Sequence, residues 1–549
     1  MLSQLRTHRN RTHILAAILT LSLAVLAFPV AQAQTYTVVV DFFGQLPALP
    51  AVGPAAAQGR DGNFYGTSVE GGTNGLGTVF QITPSGTLTT LYSFDGTVGE
   101  YPYGGLTLGT DGNFYGTTNR GGSAGFGSVY QITPAGVVTT LHTFTNTGDG
   151  TDPSCAPVLG SDGNLYGSTT GVYGSTVEAN STIYKITPAG VFTVLHTLNP
   201  ATDGSQAGSM ILGADGNFYG GTAAGGTNAW GTVFKVTPTG AFTLLHTFSN
   251  LADGRQGATL AQSANGTFYG ATYLGGASSA GVVFKITSNG TFTKLHDLNG
   301  STDGTGVTGN MTLGTDGNFY NVAISNGANN SGTIFKVTPA GVFSTVLSFG
   351  GANVGLSPGT GLLQATSGLF YGSTEFGGTG NASVFYSLNQ SLAPFATLVS
   401  TSGKEGAHIG ILGQGFTAAT TVKFAGVAAT TIAHTSSTFI TATVPAAALT
   451  GSVTVTTGTT TLTSSQGFKV KPTVTGFTPP NGPVGTTVTL TGTGLTQATK
   501  VTFNGTSATF TVNSDTQITT TVPTGATTGK IAVTTKGGTA STTTSFTVN

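Results

Sequence analysis

The chain has 549 residues, of which only 7% are Asp, Glu, Lys or Arg, and its formal net charge is −1 at pH 7. This length implies several domains or one large repeat array, and the low charge excludes long solvated helices, coiled coils and basic nucleic-acid surfaces. The 86 glycines, 33 phenylalanines and 16 tyrosines, together with abundant threonine, favour β structure. We therefore expect an all-β protein.

The N-terminus has the pattern of an export signal. A region with three arginines precedes an apolar run at 14–28, and Ala-Gln-Ala at 31–33 forms a small-residue cleavage site. Because the apolar run is short for a membrane span, cleavage is favoured over an uncleaved anchor. Residues 1–33 are thus predicted to be a signal peptide. The mature chain is expected in the extracellular space, at the cell surface or in the periplasm, with no transmembrane segment.

Removal of this signal takes away three basic residues and no acidic residue, which leaves a mature net charge of −4. Nucleic acid is therefore not an expected partner. The single cysteine, Cys155, has no partner for an internal disulfide.

A repeat of about 50 residues organises the chain up to residue 390. A Phe-Tyr unit, with Leu-Tyr in the third copy, recurs seven times at spacings of 50, 51, 53, 50, 51 and 51 residues. The seven tyrosines are Tyr65, Tyr115, Tyr166, Tyr219, Tyr269, Tyr320 and Tyr371. The second copy predicts four strands, at 105–109, 114–117, 128–133 and 137–144, with an Asp-Gly-Asn turn after the first and a Pro-Ala-Gly turn after the third. Four short antiparallel strands at this period are typical of one β-propeller blade, so residues 34–391 are predicted to form a seven-bladed propeller.

The order of strands along the chain predicts how the propeller closes. Residues 35–42 match a fourth strand, but no first three strands precede them, and the seventh copy lacks a clear fourth strand. We expect the N-terminal strand to complete the last blade, because this pairing removes an open sheet edge.

The Asp-Gly-Asn-Phe-Tyr-Gly element at 111–116 and the Thr-Pro-Ala-Gly element at 133–136 resemble those of the bacterial tandem-repeat family labelled GloVer. The resemblance covers nearly all of residues 40–390 and implies a repeat protein of that kind. It implies no activity, because that family has none established. The Gly-Gly pairs after the second strands are also similar to kelch repeats, but the recurrent kelch tryptophan is missing.

The composition shifts towards Thr, Val and Ala after residue 390, and two segments align at an offset of 78 to 79 residues, as at 412–416 and 491–495. Both segments resemble IPT/TIG domains, which implies two immunoglobulin-like β-sandwiches, at 392–470 and 471–549. That family occurs in DNA-binding factors, cell-surface receptors and secreted bacterial proteins. The predicted export and the lack of positive charge exclude the first context here.

The two rims of the predicted propeller differ in sequence. The turns after the first and third strands share one rim and are nearly identical between copies, so we call this the uniform rim. The loops after the second strands and between blades share the other rim. We call it the variable rim, because the length and the residues of these loops change from copy to copy. Binding is expected on the variable rim.

The candidate ligand-binding residues are inter-blade carboxylates and loop-tip aromatic residues of the variable rim. Carboxylates can contact the hydroxyl groups of a ligand, and aromatic faces can stack on sugar rings. Turn formation is the alternative role for the carboxylates, and packing on the adjacent blade is the alternative for the aromatic rings. The candidates are Asp149, Asp203, Asp253, Asp303, Trp230, Phe126, Tyr173 and Tyr273.

Two other recurring sets are interpreted as structural. The Asp-Gly-Asn carboxylates are one per blade, which does not supply the roughly six to eight oxygens of a calcium site. A turn role is therefore favoured for Asp61, Asp111, Asp162, Asp215 and Asp316. Packing is favoured for His142, His196, His246 and His296, because the fourth strand of a blade lies far from the axis.

No phosphate loop, His-Glu-x-x-His or paired-cysteine zinc motif occurs in the sequence. We therefore predict a noncatalytic binding or scaffold protein, with no cofactor and no metal, whose partner is polysaccharide or another cell-envelope component. Two alternatives stay open. A carbohydrate-active hydrolase or lyase could assemble carboxylates from different blades, and a purely structural envelope protein would need no ligand.

Overall fold

The computed structural model describes residues 35–44, 56–171, 181–257, 259–350 and 354–549. The predicted signal peptide and Tyr173 lie outside these residues. The described chain is almost entirely β, with one helical turn at Gly300–Asp303 and one 3-10 turn at Thr379–Asn381. None of the helices in these ranges is long and apolar enough to span a membrane. The all-β prediction is confirmed.

Seven antiparallel sheets follow one another along the chain, and six are built from four consecutive strands. Blade 1 comprises Ala57–Gln58, Phe64–Ser68, Thr78–Ile82 and Leu88–Ser93. Blade 2 comprises Thr107–Leu108, Phe114–Thr118, Ser128–Ile132 and Val138–Thr143. Blade 3 comprises Val158–Leu159, Leu165–Ser168, Thr182–Ile186 and Phe192–Thr197.

The later blades repeat this pattern with longer first strands. Blade 4 comprises Ser205–Leu212, Phe218–Ala224, Thr232–Val236 and Phe242–Thr247. Blade 5 comprises Thr259–Gln262, Phe268–Ala271, Val282–Ile286 and Phe292–Asp297. Blade 6 comprises Thr305–Leu313, Phe319–Ser325, Thr333–Val337 and Phe343–Ser348.

Blade 7 joins the two ends of the propeller sequence. Its own segments are Leu356–Pro358, Leu363–Gln364, Phe370–Phe376 and Val384–Asn389, and its outer strand is the N-terminal Thr35–Asp41. The N-terminal strand pairs antiparallel with Val384–Asn389, from Thr35 opposite Asn389 to Asp41 opposite Val384. The predicted closure by the N-terminal strand is confirmed.

The second strand of each blade is buried on both faces, because each sheet packs between two neighbouring blades. Phe64–Ser68 is buried at all five positions. Gly66 permits this packing, since a Cβ there would lie 2.7 Å from the Phe80 ring of the third strand. Blade 6 has the buried Asn321 at the equivalent position, and its side-chain amide donates to the Thr259 hydroxyl of blade 5 at 3.2 Å.

Aromatic pairs carry this packing around the ring. The tyrosine of one second strand lies against the phenylalanine that begins the next, with centroids 4.0–4.5 Å apart. The pairs are Tyr65–Phe114, Tyr166–Phe218, Tyr219–Phe268, Tyr269–Phe319, Tyr320–Phe370 and Tyr371–Phe64. The last pair closes the circle between blades 7 and 1. The hydrophobic core is therefore distributed between blades.

Two β-sandwiches follow the propeller, each with two four-stranded sheets in the same strand order. The sheets of the first sandwich are Thr397–Leu398, His408–Leu412, Phe439–Thr443 and Ile432–Ser436, then Val427–Ala428, Thr421–Phe424, Val453–Thr457 and Thr460–Thr463. Those of the second are Thr473–Thr478, Thr487–Thr493, Gln517–Thr521 and Phe510–Ser514, then Thr506–Ala508, Ala498–Phe503, Ile531–Thr535 and Gly538–Ser541. Short parallel pairs, Ser402–Gly403 with Lys469–Val470 and Asn481–Gly482 with Thr547–Val548, complete them.

Candidate functional site

The Asp-Gly-Asn carboxylates of the uniform rim close their own turns. The Asp111 carboxylate accepts hydrogen bonds from the Asn113 backbone N–H at 3.1 Å, from the Asn113 amide at 2.8 Å and from the Tyr115 hydroxyl at 2.8 Å. The same bonds occur at Asp61, Asp162, Asp215 and Asp316. These carboxylates are satisfied within five residues of chain, in agreement with a turn role.

In blade 3, the environment of the turn shifts the pKa values of both partners. Burial raises the pKa of Asp162, but the hydrogen bonds from Tyr166 and Asn164 lower it by more, so its net pKa lies below the ordinary value. Burial, followed by the hydrogen bond to Asp162, raises the pKa of Tyr166 far above its ordinary value. The turn therefore holds a carboxylate and a neutral phenol at neutral pH. Neither group is poised for proton transfer.

On the variable rim, the structure joins two sets that the sequence analysis treated separately. His142 Nε2 lies 3.2 Å from the Asp149 carboxylate, and the three other recurring histidines are 2.8–2.9 Å from their aspartates. These pairs are His196–Asp203, His246–Asp253 and His296–Asp303. Each carboxylate also accepts a backbone N–H within its own loop, from Thr145, Asn199, Ser249 and Asn299. The aspartates thus tie each inter-blade loop to the preceding fourth strand.

Each of these histidines also lies flat on the next blade. The His142 ring stacks on Phe192 with centroids 3.8 Å apart and an interplanar angle of 6°. The other stacked pairs are His196–Phe242, His246–Phe292 and His296–Phe343. Burial lowers the pKa of His142, although Asp149 opposes this shift. This geometry agrees with the packing role expected for the histidines.

The constant offset from histidine to aspartate was the sequence signal for this contact. Asp149, Asp203, Asp253 and Asp303 each follow their histidine by seven residues. The four carboxylates are only 13–19% exposed, and their hydrogen bonds are made within the chain. Their proposed contact with a ligand stays a prediction. Across the described residues, no group of three or more His, Cys, Asp or Glu side chains could hold a metal ion.

The loop-tip aromatic residues differ in exposure. Phe126 and Trp230 are half-buried and pack against the core clusters of adjacent blades. The carbonyl of Trp230 accepts the Gln256 N–H at 3.0 Å, and the Arg255 guanidinium lies 5.1 Å from the centre of the Trp230 ring. Tyr273 is 38% exposed on the next loop. Trp230, Arg255, Gln256 and Tyr273 form one surface on the variable rim, which we call the Trp230 surface.

Backbone contacts hold the Trp230 surface together. The Tyr273 N–H donates to the Gln256 carbonyl at 3.3 Å, and the Arg255 N–H donates to the Leu274 carbonyl at 2.8 Å. Gly306 of blade 6 has a φ of +77°, and a Cβ there would lie 3.1 Å from the Tyr273 ring. The buried Arg255 Nε has no hydrogen-bond partner in the described structure. The surface therefore offers an aromatic face and a guanidinium whose Nε is without a hydrogen-bond partner among the described residues.

The first sandwich covers the uniform rim, a contact that was not predicted from the sequence. The Thr438 hydroxyl donates to the Arg60 carbonyl at 2.8 Å, and the Arg60 guanidinium lies 4.6 Å above the Phe439 ring. Two further contacts reach other blades: the Gln414 amide donates to Thr366 in blade 7 at 2.8 Å, and Lys471 Nζ donates to the Ser161 carbonyl in blade 3 at 2.7 Å. One signal was present, since Arg60 is the only basic residue before an Asp-Gly-Asn or related turn.

Two protein-family models together match most of the chain. The model of the Gloeobacter/Verrucomicrobia repeat matches residues 25–220 and 206–440. The chain belongs to this repeat family. The IPT/TIG domain model matches residues 472–548, which is the second sandwich. The first sandwich shares its strand order, and its membership of the IPT/TIG family stays a prediction, as do the predicted domain boundaries.

Solved structures with a similar fold have varied descriptions. A fungal alcohol oxidase of the AA5 family, in complex with copper, is 13% identical, with coverage of 94% of this chain and 99% of that one and a TM-score of 0.45. The extracellular domain assigned to a one-component system of B. thetaiotaomicron is 9% identical, with coverage of 92% and 58% and a TM-score of 0.44. A Xanthomonas campestris gluconolactonase is 13% identical, with coverage of 53% and 87% and a TM-score of 0.36. At these values the likeness carries no argument about activity. We found no match among curated proteins.

Proposed function

We propose that the protein is an exported, noncatalytic binding protein whose variable rim binds polysaccharide. The observation that carries this proposal is the Trp230 surface of the variable rim, which combines the exposed Tyr273 ring with a half-buried Trp230 ring that has the Arg255 guanidinium over it. A sugar ring could stack on Tyr273, and Arg255 could donate hydrogen bonds to its oxygens.

The hydrogen bonds of the carboxylates support a noncatalytic role. A hydrolase of the common two-carboxylate type needs an acid and a base or nucleophile facing one another across the scissile bond. The four inter-blade aspartates instead face a histidine and a backbone N–H of their own loop. The proposed mechanism is therefore display, in which a rigid ring presents its variable loops to a ligand.

A glycan array tests this proposal, with the mature chain and its Tyr273→Ala variant. We expect binding to one class of polysaccharide, and the variant should lose about ten-fold in affinity, which corresponds to about 1.4 kcal/mol. Val342→Ala is the matched control, because Val342 is 64% exposed at a turn of the uniform rim.

Either of two outcomes would contradict the proposal. Equal signals from the wild type and Tyr273→Ala would show that Tyr273 does not stack on the bound sugar. Release of new sugar ends from a bound polysaccharide would instead support the hydrolase or lyase alternative.

A further inference from the structure

The two sandwiches have a charge balance opposite to that of the propeller. Residues 392–549 contain seven lysines, Lys404, Lys423, Lys469, Lys471, Lys500, Lys530 and Lys536, and only two carboxylic side chains, Glu405 and Asp515. All the other acidic residues precede this region, in the propeller sequence. The excess of positive charge in an otherwise acidic mature chain favours an anionic partner for the tail.

The two tail carboxyls contact each other, and neither forms an ion pair with a lysine in the described part of the chain. Burial, and then the hydrogen bond with Asp515, raises the pKa of Glu405 to about 7. The Glu405 carboxyl also accepts the Ala447 N–H at 2.8 Å. Asp515 accepts the Gly494 N–H at 3.0 Å and the Thr496 hydroxyl at 2.6 Å. At and below neutral pH the pair shares a proton across the junction of the two sandwiches.

A groove at this junction brings two of the lysines together. It has a volume of about 410 Å³ and is lined by Lys404 and Lys471 with the polar residues Thr473, Thr539 and Ser541. No ion pair within 4.0 Å involves either lysine in the part of the chain that the structure describes. The volume falls within the range of roughly 300–1,000 Å³ that is typical of ligand sites.

The ammonium of Lys471 is partly desolvated and interacts with charges of both signs. Its Nζ donates to the Ser161 carbonyl at 2.7 Å, which fixes the ammonium beside the propeller. Burial lowers the pKa of Lys471, the charge of Asp162 opposes this shift, and the charge of Lys404 lowers the pKa further. An anion between the two ammonium groups would relieve their repulsion and accept hydrogen bonds from both.

We propose that this groove, the lysine groove, binds the carboxylate groups of an acidic polysaccharide. The two lysines bind the carboxylate, and the hydroxyls of Thr539 and Ser541 lie where they could contact the sugar hydroxyls. This site lies on the tail and is independent of the Trp230 surface.

Calorimetric titration of the mature chain with polygalacturonate tests the proposal. Lys404→Gln should lower the affinity about five-fold, which is the effect of losing about 1 kcal/mol from one exposed ion pair. The matched control is Lys423→Gln, an exposed lysine on the strand Thr421–Phe424 that does not line the groove, so the affinity should stay unchanged. Because Lys404 is exposed, its replacement should not affect folding. Binding should weaken as salt is added, and neutral dextran should not bind.

Three results would overturn the proposal. The first is equal binding by the two lysine variants, and the second is tighter binding of polyphosphate than of polygalacturonate. The third is loss of polygalacturonate binding in Tyr273→Ala but not in Lys404→Gln, which would place the binding at the Trp230 surface. If polygalacturonate does not bind but the glycan array still shows binding that depends on Tyr273, the lysine-groove proposal is rejected and the proposed function is not.

Discussion

The two rims of the propeller satisfy their loop carboxylates in different ways. On the uniform rim, each Asp-Gly-Asn turn satisfies its carboxylate locally, as Asp111 does with Asn113 and Tyr115. On the variable rim, the loops depend on neighbours in space, since the histidine that bonds Asp149 also stacks on the following blade. A turn whose hydrogen bonds are all made within its own residues can be repeated unchanged in each blade, and another domain can cover it. A loop fixed by inter-blade contacts can vary elsewhere along its length and present different residues to a ligand.

Removal of a carboxylate from each rim should give the largest difference between them. The Asp303 side chain is 13% exposed and accepts hydrogen bonds from His296, the Asn299 N–H and the Thr302 hydroxyl. Asp303→Ala leaves these donors unsatisfied, so we expect a loss of about 2–3 kcal/mol in the free energy of unfolding. Asp316→Ala on the uniform rim should cost about 1 kcal/mol, because Asp316 is exposed and the two Asn318 donors can reach water.

Urea denaturation of both variants measures this difference. Blade 5 already has Asn265 in place of the turn aspartate, and its Tyr269 hydroxyl donates to the Pro339 carbonyl instead, at 3.1 Å. The uniform turn thus tolerates replacement. Equal losses of stability in the two variants would show that the variable rim does not depend more on its carboxylates.

A smaller effect is expected where the first sandwich covers the uniform rim. Arg60→Ala removes the guanidinium over Phe439, so contact between the domains should weaken by about 1 kcal/mol. Hydrogen exchange should become faster in the strand Phe439–Thr443 while the propeller strands stay protected. Arg120→Ala provides the control, because Arg120 is an exposed arginine on the variable rim. If the strand Phe439–Thr443 exchanges at the same rate in both variants, the Arg60 contact does not hold the first sandwich on the uniform rim.

A last effect, of similar size, is a pH dependence at the junction between the sandwiches. The pKa of Glu405 is about 7 in the folded chain, above its ordinary value of 4.5. The folded state therefore binds this proton more tightly, and the stabilisation is lost as the pH rises through 7. After allowance for solvent screening, we expect a change of about 1 kcal/mol between pH 5 and 8.

Thermal unfolding of the wild type and Glu405→Gln across this pH range measures the effect. The glutamine amide can still donate to Asp515 but does not titrate, so the slope between pH 5 and 8 should flatten in the variant. An unchanged slope would assign the pH dependence to other groups.

The contacts between blades show where sequence reasoning reached its limit. Each blade is a local unit of about 50 residues, so the strand pattern, the turns and the missing fourth strand of blade 7 could be read along the chain. The pairing of His142 with Asp149 was within reach, because seven residues separate them in every copy that has both. The stacking of His142 on Phe192 was not, since it depends on how one sheet twists against the next.

The sequence by itself determined the all-β class, the seven repeats, the closing strand and the two sandwich-forming segments, because these depend on local periodicity and turn chemistry. Only the tertiary structure decided which rim is covered and which side chains stay exposed. Arg60 and Phe439 lie on different domains, and no local pattern connects them. The same holds for the Glu405–Asp515 pair and the lysine groove, which exist only because two separately folded sandwiches meet.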